Sequence, residues 1–353
     1  MNTRPAGENS GKRRLPRRQR SYGRCQRRRA ELRLAYPRCI EAWKKPTLEI
    51  LPQAARLSRN VVLSLASGVE VAEVDLLSSS PLMAVSAPWP GPQAELMPIR
   101  WLAETVPYWQ RQAGRWAARF QTVFLSPRFD PLPPCREVQQ AVAEWLHLCA
   151  RLGLSCWLQT RGVILPVLWH ALRELADCVR VTLAMSTMDV ALSRALEPGA
   201  APPELRWRQW ERLRQLGVAV QVTLAPLVPG LTDTAENLEP LLAAMAVHGV
   251  SRATVGYLLL DPLAELGRHR RVKPSHWARP LEELYLSGQL RRWGPDRLAR
   301  SLPYRERQRR YARVVSLASQ FGIELRPNTL ADPDFRPSLH SSEQLALAWP
   351  NCS

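Results

Sequence analysis

From residue 122 onward the apolar and polar positions alternate between two periods, and that alternation is the clearest structural statement in the chain. Short apolar runs at 122–126, 154–160, 179–185, 218–224 and 253–259 have the length and bounding residues of buried strands. Between them lie segments with three-to-four-residue spacing, read as helices at 136–152, 166–176, 189–196, 204–216 and 234–247. The segment 136–152 places Val138, Val142, Trp145, Leu146 and Cys149 on one face, and Gly153, Gly217 and Gly249 stand where helices would stop in a left-handed residue. Strands separated by helical crossovers imply a parallel sheet with connections of one hand. With one further strand expected near 60–65, the fold class read here is α/β, a partial (β/α) barrel.

Before and after this region the pattern is less regular. Residues 1–30 are polar and arginine-rich and carry no apolar period, so they are expected to stay disordered until bound. Residues 76–98 read as a long loop, and 100–118 as a helix carrying Trp101, Leu102, Val106, Trp109 and Trp116, with Pro107 near its start or at a kink. Helices are expected at 278–288 and 304–321, with a last short strand at 323–326. The resulting domain reading is a basic N-terminal segment (1–45), a barrel (46–265) and a helical basic C-terminal extension (266–353).

Charge sharpens that division. The 353 residues carry a formal net charge of +18. Residues 1–45 contain 15 Lys/Arg against 3 Asp/Glu, and residues 268–313 contain 14 against 4, leaving the centre slightly acidic. Such flanks can neutralise phosphates, so nucleic acid is a candidate partner. Within the C-terminal flank, Arg305, Arg309, Arg310 and Arg313 interleave with Tyr304 and Tyr311, a mixture suited to stacking and phosphate contact. An exposed arginine-faced helix is the plainer reading of the same residues. Only 4 of the 49 cationic residues are lysines, so arginine-rich tails also reflect a general bias of composition.

No apolar run of ~20 residues offers a membrane span, and no apolar leader follows the charged start. No membrane association and a cytoplasmic location are therefore expected. The 7 cysteines are scattered without a C-x-x-C pair, which argues against a disulfide scaffold.

The candidate chemistry lies where strands end, because loops there vary without disturbing the core. Phe124-Leu125-Ser126-Pro127-Arg128-Phe129-Asp130-Pro131 ends the first regular strand, and Leu158-Gln159-Thr160-Arg161-Gly162 the second. Ser186-Thr187-Met188-Asp189, with Arg194-Ala195-Leu196-Glu197-Pro198, follows the third. Ala225-Pro226-Leu227-Val228-Pro229-Gly230-Leu231-Thr232-Asp233 follows the fourth. Ser126, Thr160, Ser186 and Thr187 offer hydroxyls, Arg128 and Arg161 offer forked donors for carboxylate or phosphate, and Asp130, Asp189 and Glu197 offer acceptors. Each has a structural alternative: Asp130-Pro131 starts a turn, Asp189 caps a helix, Glu197 ends one and pairs with Arg194, and the prolines shape loops.

In order and spacing these four pieces resemble the radical S-adenosylmethionine (radical SAM) proteins related to spore photoproduct lyase, whose motifs read roughly S-x-T-D-P-Y-Q-P, T-K-S, S-x-T-x-D with R-x-L-E-P, and A-P-x-I-P-G-x-x-D. The resemblance covers about a third of the chain well. It implies a barrel of the radical SAM type, with S-adenosylmethionine at the strand ends. Its methionyl end would lie near Ser126, Arg128 and Asp130, its ribose at Ser186 and its adenine along Ala225–Gly230, with Pro226 in that stretch. Thr160 and Arg161 stand at the T-K-S position, with arginine for lysine and Gly162 for serine, and Glu197 stands in the R-x-L-E-P piece.

The resemblance also implies a [4Fe–4S] cluster on C-x3-C-x2-C, three soft ligands on one loop. The matching segment is Tyr36-Pro37-Arg38-Cys39-Ile40-Glu41-Ala42-Trp43-Lys44-Lys45-Pro46. Only Cys39 remains, as a vestigial ligand; Trp43 and Pro46 fill the other two positions and cannot ligate iron. A site assembled from Cys25, Cys39 and Cys135 is the substitute. The favoured expectation is a degenerate, cluster-free barrel that keeps a ligand or macromolecule binding role, and the alternative is an active radical SAM enzyme with an unconventional cluster. A Schiff-base aldolase is disfavoured because all four lysines (Lys12, Lys44, Lys45, Lys273) fall outside the expected strands, and a metal hydrolase because the histidines lie mostly on helices or tails.

Overall fold

The computed structural model describes residues 48–51, 71–74, 76–79, 98–117, 120–125, 128–197, 199–261, 278–293, 297–328 and 332–335. The expected disordered segment (1–30), the strand expected near 60–65, Cys39 and Ser126 fall outside them.

Twelve strands are named in chain order: β1 (Leu48–Leu51), β2 (Val71–Val74), β3 (Leu77–Ser79), β4 (Ile99–Leu102), β5 (Thr122–Leu125), β6 (Ser155–Thr160), β7 (Val179–Ala184), β8 (Ala219–Leu227), β9 (Arg252–Tyr257), β10 (Gln289–Trp293), β11 (Arg297–Ser301) and β12 (Glu324–Pro327). The helices are α1 (Thr105–Arg111), α2 (Ala113–Ala117), α3 (Arg136–Arg151), α4 (Pro166–Glu174), α5 (Val190–Leu196), α6 (Pro203–Gln215), α7 (Ala235–Val247), α8 (Ala278–Leu286) and α9 (Tyr304–Ser319).

Seven strands form one sheet in the order β12-β9-β8-β7-β6-β5-β2, and every pairing is parallel. Spatial order follows chain order, so each crossover advances the sheet in the same direction. Crossovers of a single hand then leave the helices on one face, and a sheet covered on one side curls toward a barrel. The expected α/β partial barrel is the observed fold. β12 comes from the C-terminal segment, so that segment supplies a barrel strand as well as helices.

The period-two register decides which side chains meet the helices. Val123 and Leu125, Cys156 and Leu158, Val179, Val181 and Leu183, and Val222 and Leu224 join the main core with the buried faces of α3, α4, α6 and α7. Phe124, Trp157, Gln159, Thr182, Ala184, Thr223 and Ala225 alternate with them and line the inner face. Trp145 of α3 meets Trp109 of α1 edge-on, with centroids 4.9 Å apart, a geometry worth about 0.5–1.5 kcal/mol beyond area burial.

The expected helix stops are present: Gly153, Gly217 and Gly249 all have positive φ (68°, 78° and 72°). Two expectations need correction. The region 100–118 is not one helix, because residues 99–102 form β4 and the helix starts at Thr105. The stretch 76–98 is not all loop, since Leu77–Ser79 pairs antiparallel with β4. β4 also pairs in parallel with β1, 51 residues earlier in register. A partner so distant gives no local periodic signal. This small sheet places Leu77 and Ile99 against Phe129 and Val138, beside the end of β5. The hairpin β10–β11 was likewise unforeseen.

Candidate functional site

The mouth of the barrel is built from polar residues that bind one another before they could bind a ligand. Asp130, just past β5, is fully buried. Its Oδ1 accepts from Leu132 N (2.9 Å) and Thr160 Oγ1 (2.7 Å), and its Oδ2 from Arg161 N (2.7 Å). One carboxylate thus ties the end of β5 to the end of β6. Burial pushes the carboxyl above its usual range, against the opposing pull of Arg161 N, Thr160 and Leu132 N. Thr160 Oγ1 also accepts from Gly162 N at 2.9 Å.

A second buried network follows. Glu197 turns inward, away from the exposed Arg194, and lies between two guanidinium groups. Arg161 Nη1 is 3.2 Å from Oε1, and Arg206 Nη2 is 2.5 Å from Oε2. Arg206, on α6, is 1% exposed and also donates to Ala201 O (2.7 Å), Ala184 O (2.8 Å) and Ser193 Oγ (3.4 Å). Burial lowers the pKa of Arg161, opposed by the charges of Glu197 and Asp130. Arg161, Glu197 and Asp130 are brought together, and Glu197 pairs with Arg161 and with Arg206, which was missed, rather than with Arg194.

Three amide side chains, also missed, hold the loops from the adjacent helices. Gln139 Nε2 donates to Pro133 O and Val163 O, and its Oε1 accepts from Leu165 N. Gln209 Oε1 accepts from Ile164 N and its Nε2 donates to Gly162 O. Asn237 Nδ2 donates to Ser186 O (2.9 Å) and Thr232 O (2.6 Å). Periodicity marks such residues only as polar intruders on an apolar helix face.

Ser186 behaves differently. It is 1% exposed, two residues past β7, and its Oγ has no hydrogen-bond partner. The Ala225-Pro226 peptide, which is cis, lies within β8, and Pro226 is half-buried. In the loop that follows, Asp233 accepts from Gly230 N (2.6 Å), Tyr257 Oη (3.1 Å) and Arg310 Nη1 (2.5 Å). Asp189 caps α5 by accepting from Ala191 N and Leu192 N, the structural option of its two expected roles. Arg128 is half-buried in the loop after β5.

The basic helix α9 divides its arginines. Arg310 is held by Asp233 and Glu306. Arg313 reaches Asp233 at 3.3 Å yet stays 61% exposed. Arg309 is 77% exposed beside Glu306, and Arg305 is exposed.

Among the described residues no group of three His, Cys, Asp or Glu is arranged to hold a metal ion. Cys149 and Cys156 are buried in the core, and Cys135 Sγ donates to Glu137 Oε2 at 3.1 Å. No described helix is long and apolar enough to cross a membrane.

Solved structures of spore photoproduct lyase share this fold. A mutant with bound AdoMet and dinucleoside spore photoproduct matches with a TM-score of 0.60 at 11% identity, over 80% of this chain and 81% of that one. Another, complexed with dinucleoside spore photoproduct, gives 0.56 at 12% identity with the same coverage. The architecture is thus the partial (β/α) barrel that these structures share. In sequence, an uncharacterized protein of Mycobacterium tuberculosis (strain H37Rv) is 29% identical over 141 residues, 39% of this chain and 41% of that protein. An uncharacterized protein of Acidianus two-tailed virus is 26% identical over 147 residues, 41% of this chain and 46% of that protein. The matches therefore span less than half the length of these curated relatives. No protein-family model matches the chain.

Proposed function

We propose that this chain is a radical-SAM-type barrel protein that binds S-adenosylmethionine at the ends of β5–β8 and lacks a conventional [4Fe–4S] cluster. The observation that carries the reading is the buried Ser186 Oγ without a partner, since an unsatisfied buried hydroxyl costs about 1–3 kcal/mol unless a ligand meets it. Ser186 stands where the resemblance puts the ribose contact, and the cofactor fits there because a ribose hydroxyl supplies the missing bond. The Ala225–Gly230 stretch would then lie beside the adenine. Asp130, Thr160, Arg161 and Glu197 act mainly on one another and hold the mouth in shape before a ligand arrives. S-adenosylmethionine is also what one of the similar spore photoproduct lyase structures contains.

The cluster does not fit in the same way. Trp43 and Pro46 stand at two of the three thiolate positions that the resemblance implies, and neither side chain can ligate iron. Bound S-adenosylmethionine would supply an activated sulfonium; this chain's residues would orient it.

Isothermal titration with S-adenosylmethionine tests the reading. Micromolar-range binding, weakened about tenfold in Ser186→Ala, supports it; no binding heat in the wild type ends it. Anaerobic iron–sulfide reconstitution followed by EPR decides between the cluster-free and active forms. A [4Fe–4S] signal perturbed by the cofactor and lost in Cys39→Ala would establish the active-enzyme alternative.

A second reading, nucleic-acid contact through the basic flanks, is favoured by the exposure of Arg305, Arg309 and Arg313 on α9. Steep salt dependence of RNA or DNA affinity would support it. Removing a phosphate-contacting arginine should reduce the log–log salt slope by roughly 0.9.

A further inference from the structure

Three of the four cysteines among the described residues gather at the base of the barrel, the end of the strands opposite the mouth. Cys156 is the second residue of β6 and pairs in register with Val179, the first residue of β7, so Cys178 directly precedes its partner. Cys149 lies in the last turn of α3. Its carbonyl accepts from Leu154 N at 2.9 Å, which folds the helix end back against the start of β6. The Cys149 thiol lies against that of Cys156 and close enough to Cys178 for their charges to interact. Cys149 and Cys156 are 2% and 1% exposed, whereas Cys178 is half-buried.

A single buried cysteine acts as a small apolar side chain. Two thiols in contact differ, because removing two hydrogens closes them into a disulfide, and a half-exposed third thiol gives an oxidant a way in. Burial, and then the neighbouring Cys156 and Cys178, push the Cys149 thiol well above its ordinary range. Cys149 therefore keeps its proton and is shielded from direct attack by an oxidant. Contact, rather than acidity, is what lets it react, and oxidation has to begin at Cys178, the most exposed of the three.

We propose that Cys149, Cys156 and Cys178 form a thiol-oxidation site, in which a hydroperoxide enters at Cys178 and the buried Cys149–Cys156 pair ends as a disulfide. The Cys178 sulfur attacks the peroxide; an S–O bond forms, the O–O bond breaks, and an alcohol (water, for hydrogen peroxide) leaves. The Cys156 sulfur, one position away across the strand pair, then attacks the Cys178 sulfenic acid. An S–S bond forms, the S–O bond breaks, and water leaves with the Cys156 proton. Exchange follows: the Cys149 sulfur attacks Cys156, and Cys178 departs as a thiol with the Cys149 proton. In all, two thiols lose two electrons and two protons, and one hydroperoxide is reduced to alcohol and water. The crosslink joins the last turn of α3 to β6, and it depends on neither the mouth nor S-adenosylmethionine.

Tryptic mapping of the full chain without reductant tests this. Arg136, Arg151, Arg161, Arg173 and Arg180 place each thiol on its own peptide: Cys149 on 137–151, Cys156 on 152–161 and Cys178 on 174–180. The reduced protein is treated with equimolar hydrogen peroxide, alkylated and digested. Peptides 137–151 and 152–161 should emerge joined, with Cys178 alkylated. Cys178→Ser, a change at a half-exposed position, should form the same link about tenfold more slowly. An unjoined pair in the wild type overturns the site, whether Cys178 is then over-oxidised or still linked to Cys156. An unchanged rate in Cys178→Ser overturns it as well.

Discussion

Asn237 Nδ2 donates to the carbonyl oxygens of both Ser186 and Thr232, at 2.9 and 2.6 Å. One side chain from the first turn of α7 therefore fixes the end of β7 and the loop after β8 to each other. Those are the two segments between which the proposed adenosyl group would lie. Their relative placement depends on a hydrogen-bonding residue that does not touch the orphaned Ser186 Oγ.

Replacing Asn237 should consequently loosen the mouth. Asn237→Leu leaves two carbonyls without this donor, and a cost of about 1–3 kcal/mol is expected. Hydrogen exchange should quicken in 226–233 before it quickens in β6. S-adenosylmethionine affinity should fall even though Ser186 is intact, and Asn237→His, which retains a ring N–H, should recover part of it. Unchanged exchange in the loop would show that Asn237 does not hold it.

Placing a serine at 162, where the T-K-S motif of the resembled proteins has one, should harm this chain. A Cβ on Gly162 would lie 2.1 Å from Leu132 O, a backbone atom fixed by the Asp130 clamp. Overpacking of this kind typically costs about 1–3 kcal/mol. Gly162→Ala and Gly162→Ser should both lower the chemical denaturation midpoint, and wild-type stability in Gly162→Ser would refute the clamp geometry.

Glu197 pairs with two buried guanidinium groups at once. Glu197→Ala leaves both unpaired, and breaking a buried ion pair from one side commonly costs about 3–5 kcal/mol. The double variant Arg161→Met/Glu197→Ala should lose less than the sum of its two single variants, because it removes one stranded charge, as a thermal-melt double-mutant cycle would read. If the losses of the two single variants simply add in the double variant, Arg161 and Glu197 are not coupled.

Part of the acid sensitivity should arise where Asp334 meets Arg291 of β10 and Arg307 of α9. Burial pushes the Asp334 carboxyl up, but the hydrogen bond from Arg307 and the charges of Arg291 and Arg307 outweigh it, so its pKa is lowered overall. A depressed folded-state value means stability that is present above the unfolded carboxylate pKa of about 3.9 and is lost as pH falls through the folded value. Asp334→Asn should flatten the dependence of melting temperature on pH in that acidic window and leave it unchanged near neutrality. An unaltered acid limb in the variant would exclude this contact as its source.

On α9, Arg305→Ala and Arg309→Ala should weaken RNA or DNA binding without moving the melting temperature, because both side chains are exposed. Arg310→Ala should lower stability, since Arg310 is held by Asp233 and Glu306. Equal binding by wild type and the Arg305/Arg309 pair variant would remove these arginines from the nucleic-acid reading.

The barrel's alternation was legible because its signals are local. Strand runs of five to seven residues, helix faces such as Val138, Val142, Trp145 and Cys149, and positive-φ stops at Gly153, Gly217 and Gly249 each rest on residues within one or two turns. The same holds for the Asp189 cap. Much of the motif set was legible too, since Asp130, Thr160, Arg161, Ser186 and Pro226 sit at or just beyond strand ends whose positions the pattern predicts. Only tertiary structure decided how those residues are used. Arg206 finds Glu197, Gln139 and Gln209 find the loop after β6, and Asn237 finds Ser186 through contacts that no period records. β4 takes its partner from β1 across a long stretch of chain, so residues 99–102 became strand where their local spacing read as helix. Local periodicity sets which face of an element is apolar; which buried polar atom meets which partner, and that Ser186 Oγ meets none, follows from packing between elements distant in the chain.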